Sequence, residues 1–77
     1  MKYVVSYGYM HKQSKTFDDF VEAVSCYGQH FPEPDGVRLV GEGADCDHDA
    51  DGFHEVSDGL TEEERLTIAL VEKMVAA

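Results

Sequence analysis

The sequence predicts an α+β fold with the order β-α-β-β-α, in which a three-stranded antiparallel sheet carries two helices on one face. Two segments repeat apolar residues at helical spacing, and three others are rich in β-branched and aromatic residues. The chain has 77 residues, of which 43% are hydrophobic. That length suits one domain and that composition one small core, so we interpret residues 1–77 as a single acidic domain.

The first strand is predicted over residues 2–10, because this segment is dominated by aromatic and β-branched residues. A polar loop is predicted to follow over residues 11–15. Strand alternation puts four residues of the first strand on one face: Tyr3, Val5, Tyr7 and Tyr9.

Helix one is predicted over residues 17–27. Thr16 is the expected N-cap, with Asp19 three residues later, and Gly28 is the expected stop. The apolar stripe that predicts the helix consists of Phe17, Phe20, Val21, Val24 and Tyr27.

The remaining strands are predicted over residues 37–42 and 53–57. A Gly- and Asp-rich loop over residues 43–52 separates them, so residues 37–57 are interpreted as a hairpin with a long loop.

Helix two is predicted over residues 62–76, because Thr61 and Glu64 have the spacing of a capping box. Its apolar residues cover an arc of about 200°, twice what a surface helix usually needs. Either the helix is deeply buried or it contacts another chain, so a homodimer through residues 62–76, as in a structural or assembly protein, is one alternative. The arc is formed by Leu66, Ile68, Leu70, Val71, Met74 and Val75.

The charge is high and unevenly distributed. The formal net charge is −10, and the lysines of residues 1–17 precede an acid-rich segment, residues 18–64, in which Arg38 is the one base. This charge argues against direct binding to nucleic acid or to an anionic membrane. The polar, aromatic N-terminus does not read as a signal peptide, which predicts a cytoplasmic protein with reduced cysteines.

Residues 45–52, Asp-Cys-Asp-His-Asp-Ala-Asp-Gly, are the least ordinary segment of the chain. Four carboxylates at every second position repel one another unless something offsets their charge. Three explanations stay open: a row of charges for a protein partner, a calcium loop, or a solvated hairpin loop that binds nothing.

The first explanation starts from the geometry of an extended chain, whose alternate side chains lie on one side about 7 Å apart. The four aspartates then resemble the charge spacing along a nucleic-acid strand, and such a row is attracted to grooves lined by Lys and Arg. The predicted partner-binding residues are Asp45, Asp47, Asp49, Asp51, Glu42, Glu55 and Asp58.

In size and charge, the chain resembles the small acidic inhibitors that phages carry, including anti-restriction and some anti-CRISPR proteins. The resemblance implies a non-catalytic inhibitor that blocks a basic, nucleic-acid-binding surface of a partner protein in the host cytoplasm.

The second explanation rests on residues 47–58, which resemble the EF-hand loop pattern D-x-[DN]-x-[DN]-G-x5-E. The resemblance implies calcium as the bound ion and Gly52 as the sharp turn. Asp takes the place of the usual Glu at the twelfth position. The implied ligands are Asp47, Asp49, Asp51, the carbonyl of Phe53, Glu55 and Asp58.

Other chemistry has little support in the sequence. Possible zinc ligands are present, but their spacing matches no zinc signature. No nucleophile is accompanied by a base and an orienting group, and no glycine-rich phosphate loop occurs, so we expect no enzyme and no cofactor other than calcium. The zinc candidates are Cys26, His30, Cys46 and His48, with His54 as a fifth possible ligand.

Overall fold

The computed structural model describes residues 2–56 and 59–76, which form one five-stranded antiparallel sheet and two helices. A 3-10 turn, Tyr9–His11, joins the first two strands. The strands lie in the order β2-β1-β3-β4-β5. The elements are β1 (Tyr3–Tyr7), β2 (Gln13–Phe17), α1 (Phe20–Gln29), β3 (Val37–Gly41), β4 (Ala44–Asp49), β5 (Gly52–Glu55) and α2 (Glu62–Ala76).

The prediction of a three-stranded sheet is wrong, because two segments predicted as loops contain strands. Residues 11–15 contribute to β2, an edge strand that pairs with β1 and exposes most of its side chains. Residues 43–52 contain β4, in which Ala44 and Cys46 enter the core while Asp45 and Asp47 face outward. Because β4 has one solvent-facing side and only small residues in the core, it lacks the run of large apolar residues on which the prediction relied.

The core lies between one face of the sheet, called the inner face here, and the helices. Val5, Leu39 and Cys46 occupy adjacent register positions on β1, β3 and β4, and all three are fully buried. Tyr27 of α1 and Ile68 of α2 are also buried in the same cluster. The opposite face, called the outer face here, is covered by neither α1 nor α2, and Val4 and Val40 pair there partly exposed.

Helix α1 starts later than predicted, because Phe17 ends β2. Its N-cap is Asp19, whose Oδ2 accepts a hydrogen bond of 3.1 Å from the Glu22 backbone N–H. Gly28 lies inside the helix instead of stopping it. A Cβ at Gly28 would overlap the side chain of Val71, so the glycine lets α1 and α2 approach closely.

Helix α2 has the predicted bounds and the predicted capping box. Thr61 Oγ1 accepts a hydrogen bond of 3.1 Å from the Glu64 backbone N–H, and Glu64 Oε1 accepts one of 2.8 Å from the Thr61 backbone N–H. The helix is not deeply buried, since Leu66, Leu70 and Met74 are exposed. Within residues 2–56 and 59–76, neither this helix nor α1 has the length and apolar character needed to cross a membrane.

Candidate functional site

Three of the four spaced aspartates lie on the outer face of β4. In the register between β4 and β3, Asp45 pairs with Val40 and Asp47 with Arg38. In the register between β4 and β5, Asp49 pairs with Gly52. Alternate positions of a strand point to the same face, about 7 Å apart. We call Asp45, Asp47 and Asp49 the aspartate row. The expected row of charges is therefore present on a regular strand rather than on a loop.

The fourth aspartate, Asp51, continues from the end of the row. Ala50 and Asp51 form the two-residue turn between β4 and β5. The backbone N–H of Asp51 donates a hydrogen bond of 2.8 Å to Asp49 Oδ1, an arrangement typical of Asx turns. The two carboxylates are thus held at the tip of the same hairpin.

Arg38 offsets the charge at the opposite end of the row. Its Nε and Nη2 donate hydrogen bonds of 3.0 and 2.8 Å to the two carboxylate oxygens of Asp45. The hydrogen bonds that Arg38 donates to Asp45 and the charge of Asp45 together raise the pKa of the Arg38 guanidinium, and the nearby charge of Asp47 adds to the effect. The negative field of the row is therefore strongest toward Asp49 and the turn.

His54 stands beside the other end. It pairs with Asp47 in the register of β4 and β5, and its Nε2 lies 3.2 Å from Asp49 Oδ1. The backbone hydrogen bond from Asp51 lowers the pKa of Asp49, and the hydrogen bond and charge of His54 lower it further. Asp49 consequently stays ionised to a lower pH than an ordinary aspartate.

The other predicted partner-binding residues are dispersed. Glu42 lies in the turn between β3 and β4, at the far end of β4 from Asp51. Glu55 faces the inner side, where both its oxygens accept hydrogen bonds of 2.8 and 3.0 Å from Arg65 of α2. These bonds lower the pKa of Glu55. Asp58 lies outside the described residues.

The residues of the calcium interpretation do not form a continuous loop. Those that lie among the described residues occupy β4, the turn and β5, and Asp58 lies outside the described residues. Asp47 and Asp49 point to the outer face and Glu55 to the inner face, so the hairpin separates side chains that an EF-hand loop brings around one ion. Phe53 faces inward and packs against the core.

One compact group of potential metal ligands occurs within the described part of the chain. It consists of Asp47, Asp49 and His54, whose ligand atoms lie within 4.8 Å of one another. Two of the three side chains are exposed, and the hydrogen bond between Asp49 and His54 already accounts for part of the arrangement.

The four zinc candidates are not brought together into such a group. Cys26 and Cys46 are buried free thiols, and burial raises the pKa of Cys46 to about 11. His48 stacks on Phe31 with ring centroids 4.1 Å apart. His30 stacks on Tyr7 at 3.9 Å. The two histidines and the two cysteines are thus engaged in packing with neighbouring side chains rather than grouped around a common point.

Sequence reasoning did not predict that Arg38 and His54 lie beside the aspartate row. Both belong to the outer face only if residues 44–49 form a strand between β3 and β5. The strict alternation of aspartates was the available signal, because a period of two is itself typical of strands.

The uneven charge of the sequence corresponds to an uneven distribution of charge across the sheet. Lys15 lies on β2, at one edge, and Lys12 directly precedes that strand. The aspartate row and Asp51 lie toward the other edge, on β4 and at its turn to β5. The acid-rich part of the outer face is thus separated from these lysines by the width of β1 and β3.

Comparisons of the chain with protein-family models, with curated proteins and with solved structures find no match.

Proposed function

We propose that this protein is a small, non-catalytic inhibitor that occupies a basic, nucleic-acid-binding surface of a partner protein. The observation that carries the proposal is the aspartate row, which presents its carboxylates from one face of a single strand and is extended by Asp51. A groove that binds nucleic acid presents Lys and Arg to a line of regularly spaced negative charges. The aspartate row offers that groove a similar line.

The charge of the whole molecule supports the same conclusion. A net charge of −10 in 77 residues attracts a basic surface over a distance, which accelerates association. Such attraction weakens with salt, because the Debye length falls from about 10 Å at 0.1 M to about 3 Å at 1 M ionic strength. The complex is therefore expected to be strongly salt-dependent.

The row is also held in place before any partner arrives. β4 is hydrogen-bonded on both sides, to β3 and β5. The Asp51 backbone N–H fixes Asp49, at the end of the row that Arg38 does not neutralise. Binding then orders few side chains, and a preorganised surface loses less entropy on association than a flexible loop.

The partner class that suits this surface is a nucleic-acid-handling defence protein, either a CRISPR effector complex or a restriction endonuclease. Both act in the cytoplasm, where this protein would meet them, and both hold nucleic acid in positively charged channels. Inhibition would be steric and electrostatic, with no bond made or broken and no cofactor required.

The test is a DNA-cleavage assay with a panel of purified CRISPR effector complexes and restriction endonucleases. The proposal predicts that at least one enzyme is inhibited stoichiometrically. Excess DNA should relieve the inhibition when it is added before the inhibitor, because both occupy one surface. Inhibition at far below one inhibitor per enzyme would instead indicate catalysis, and inhibition insensitive to DNA would place the contact elsewhere.

A further inference from the structure

Helix α2 carries an exposed apolar stripe on the side turned away from the core. Leu66, Leu70 and Met74 are 64%, 60% and 70% exposed, although they follow one another at four-residue spacing on one helix face. Ile68, on the opposite side of the helix, is in the core, and Val71, between that side and the stripe, packs against the core. Large apolar side chains grouped on one surface typically mark an interaction site.

The charges that flank the stripe make it complementary to a copy of itself. Glu63 precedes Leu66 by three residues, and Lys73 follows Leu70 by three, so the order is acid, Leu, Leu, base. In a second copy of the helix that runs in the opposite direction, the two leucines occupy the same levels and the acid and the base exchange places. An antiparallel pair of identical helices therefore matches apolar with apolar and acid with base.

The helix geometry allows these contacts to form together. With a two-fold axis at the level of Ile68, Glu63 and Lys73 lie about 7.5 Å along the helix on either side of it. Around the helix axis, at about 100° per residue, each of these two side chains lies about 40° from the direction midway between Leu66 and Leu70. Leu66 then meets Leu70 of the second copy, and Glu63 meets Lys73 of the second copy, each contact occurring twice.

We propose that the protein forms an antiparallel homodimer through the outward face of α2, centred on Leu66 and Leu70 and oriented by Glu63 and Lys73. This surface is separate from the aspartate row, because α2 packs on the inner side of the sheet and the row lies on the outer face. A dimer would present two aspartate rows, one from each copy.

The dimer is expected to be weak and to strengthen with salt. The stripe is much smaller than the roughly 800 Å² per partner of a standard stable interface. The two copies also repel, since each has a net charge of −10. Raising the salt concentration from about 0.02 M to about 0.5 M screens this long-range repulsion but leaves the leucine contacts intact. This salt dependence is opposite to that expected for the proposed complex with a basic partner.

The test is sedimentation equilibrium of the full chain up to about 1 mM, where even a dimer with a dissociation constant of about 1 mM is populated. We expect a monomer–dimer equilibrium that shifts to dimer at high salt. Replacing both leucines, Leu66→Gln with Leu70→Gln, should leave a folded monomer, because both side chains are exposed and Gln is a good helix former.

Charge exchange tests the orientation of the helices at low salt. Glu63→Lys alone should weaken the dimer roughly tenfold, since it turns two attractive pairs into repulsive ones, and Lys73→Glu alone should weaken it more, because it also makes each copy more negative. The double variant with both changes restores the pairs and should regain the original dissociation constant. A control with Glu63→Lys and Lys12→Glu has the same net charge but no restored pair, so it should stay weakened.

A protein that is monomeric at all concentrations and salt levels would overturn the proposal. A dimer that survives the two leucine replacements would overturn it as well, because the interface would then lie elsewhere. Equal recovery by the double variant and by its control would show that net charge, and not the Glu63 and Lys73 contact, governs association. Circular dichroism of each variant separates these outcomes from loss of fold.

Discussion

Replacing Arg38 with glutamine is expected to lower stability while it strengthens binding to a basic partner. The change removes two hydrogen bonds, of 3.0 and 2.8 Å, to Asp45. The side chains are 45% and 23% exposed, so solvent screens the pair, and its loss should cost about 0.5 to 1 kcal/mol of unfolding free energy. The same change frees the Asp45 carboxylate to face a partner and makes the protein more negative.

Urea unfolding measures the first effect, and titration against the enzyme that the protein inhibits measures the second. Arg65→Gln is a matched control, because Arg65 also binds a carboxylate through two hydrogen bonds, but on the inner side, at Glu55. It alters the net charge equally. Arg38→Gln should therefore bind more tightly than Arg65→Gln. Equal or weaker binding would refute the assignment of Asp45 to the binding surface.

Two further predictions concern the core and the hairpin. The hydroxyl of Tyr27 is buried and has no hydrogen-bond partner among the described residues, and burial raises its pKa. Tyr27→Phe should therefore stabilise the protein by about 1 kcal/mol in urea unfolding. A loss of stability would mean that the hydroxyl is satisfied, with the Cys46 thiol, which also contributes to raising the pKa of Tyr27, as the candidate partner. After EDTA treatment, calcium and magnesium should raise the melting temperature by small and equal amounts, because the hairpin holds Glu55 on the other face from Asp47 and Asp49. A rise specific to calcium, which at 100 times its dissociation constant would add about 2.7 kcal/mol, would favour the calcium interpretation.

Local signals in the sequence were sufficient for α2. Thr61 and Glu64 bond to each other as a capping box, and the helix has the predicted bounds. The start of α1 was placed too early, because Phe17 continues the helical apolar stripe while its backbone belongs to β2. Propensity and periodicity depend only on residues that are close in sequence. They do not report the pairing of Phe17 with Tyr3, which is a tertiary contact.

The aspartate row was predicted, but its surroundings were not. Two-residue spacing was enough to align Asp45, Asp47 and Asp49 on one side of an extended segment. The partners, Arg38 and His54, come from neighbouring strands, and their positions depend on a register that the sequence does not display. Taking the alternation as evidence for a strand, instead of a loop, would have placed both on strands flanking the row, but not at their register positions.

The most direct test of the proposed function compares two variants that lose the same charge at different places. One removes the acids at the end of the row and the turn, with Asp47→Asn, Asp49→Asn and Asp51→Asn. The other removes three acids away from the turn between β4 and β5, with Asp18→Asn, Glu22→Gln and Glu62→Gln.

The measurement is the dissociation constant of each variant for the inhibited enzyme, at one salt concentration and after circular dichroism has shown that both are folded. If the aspartate row is the binding surface, the hairpin variant should lose at least roughly a hundredfold in affinity, which is about 1 kcal/mol for each aspartate. The control should lose no more than roughly tenfold, through the general field alone. Equal losses in the two variants would contradict the account.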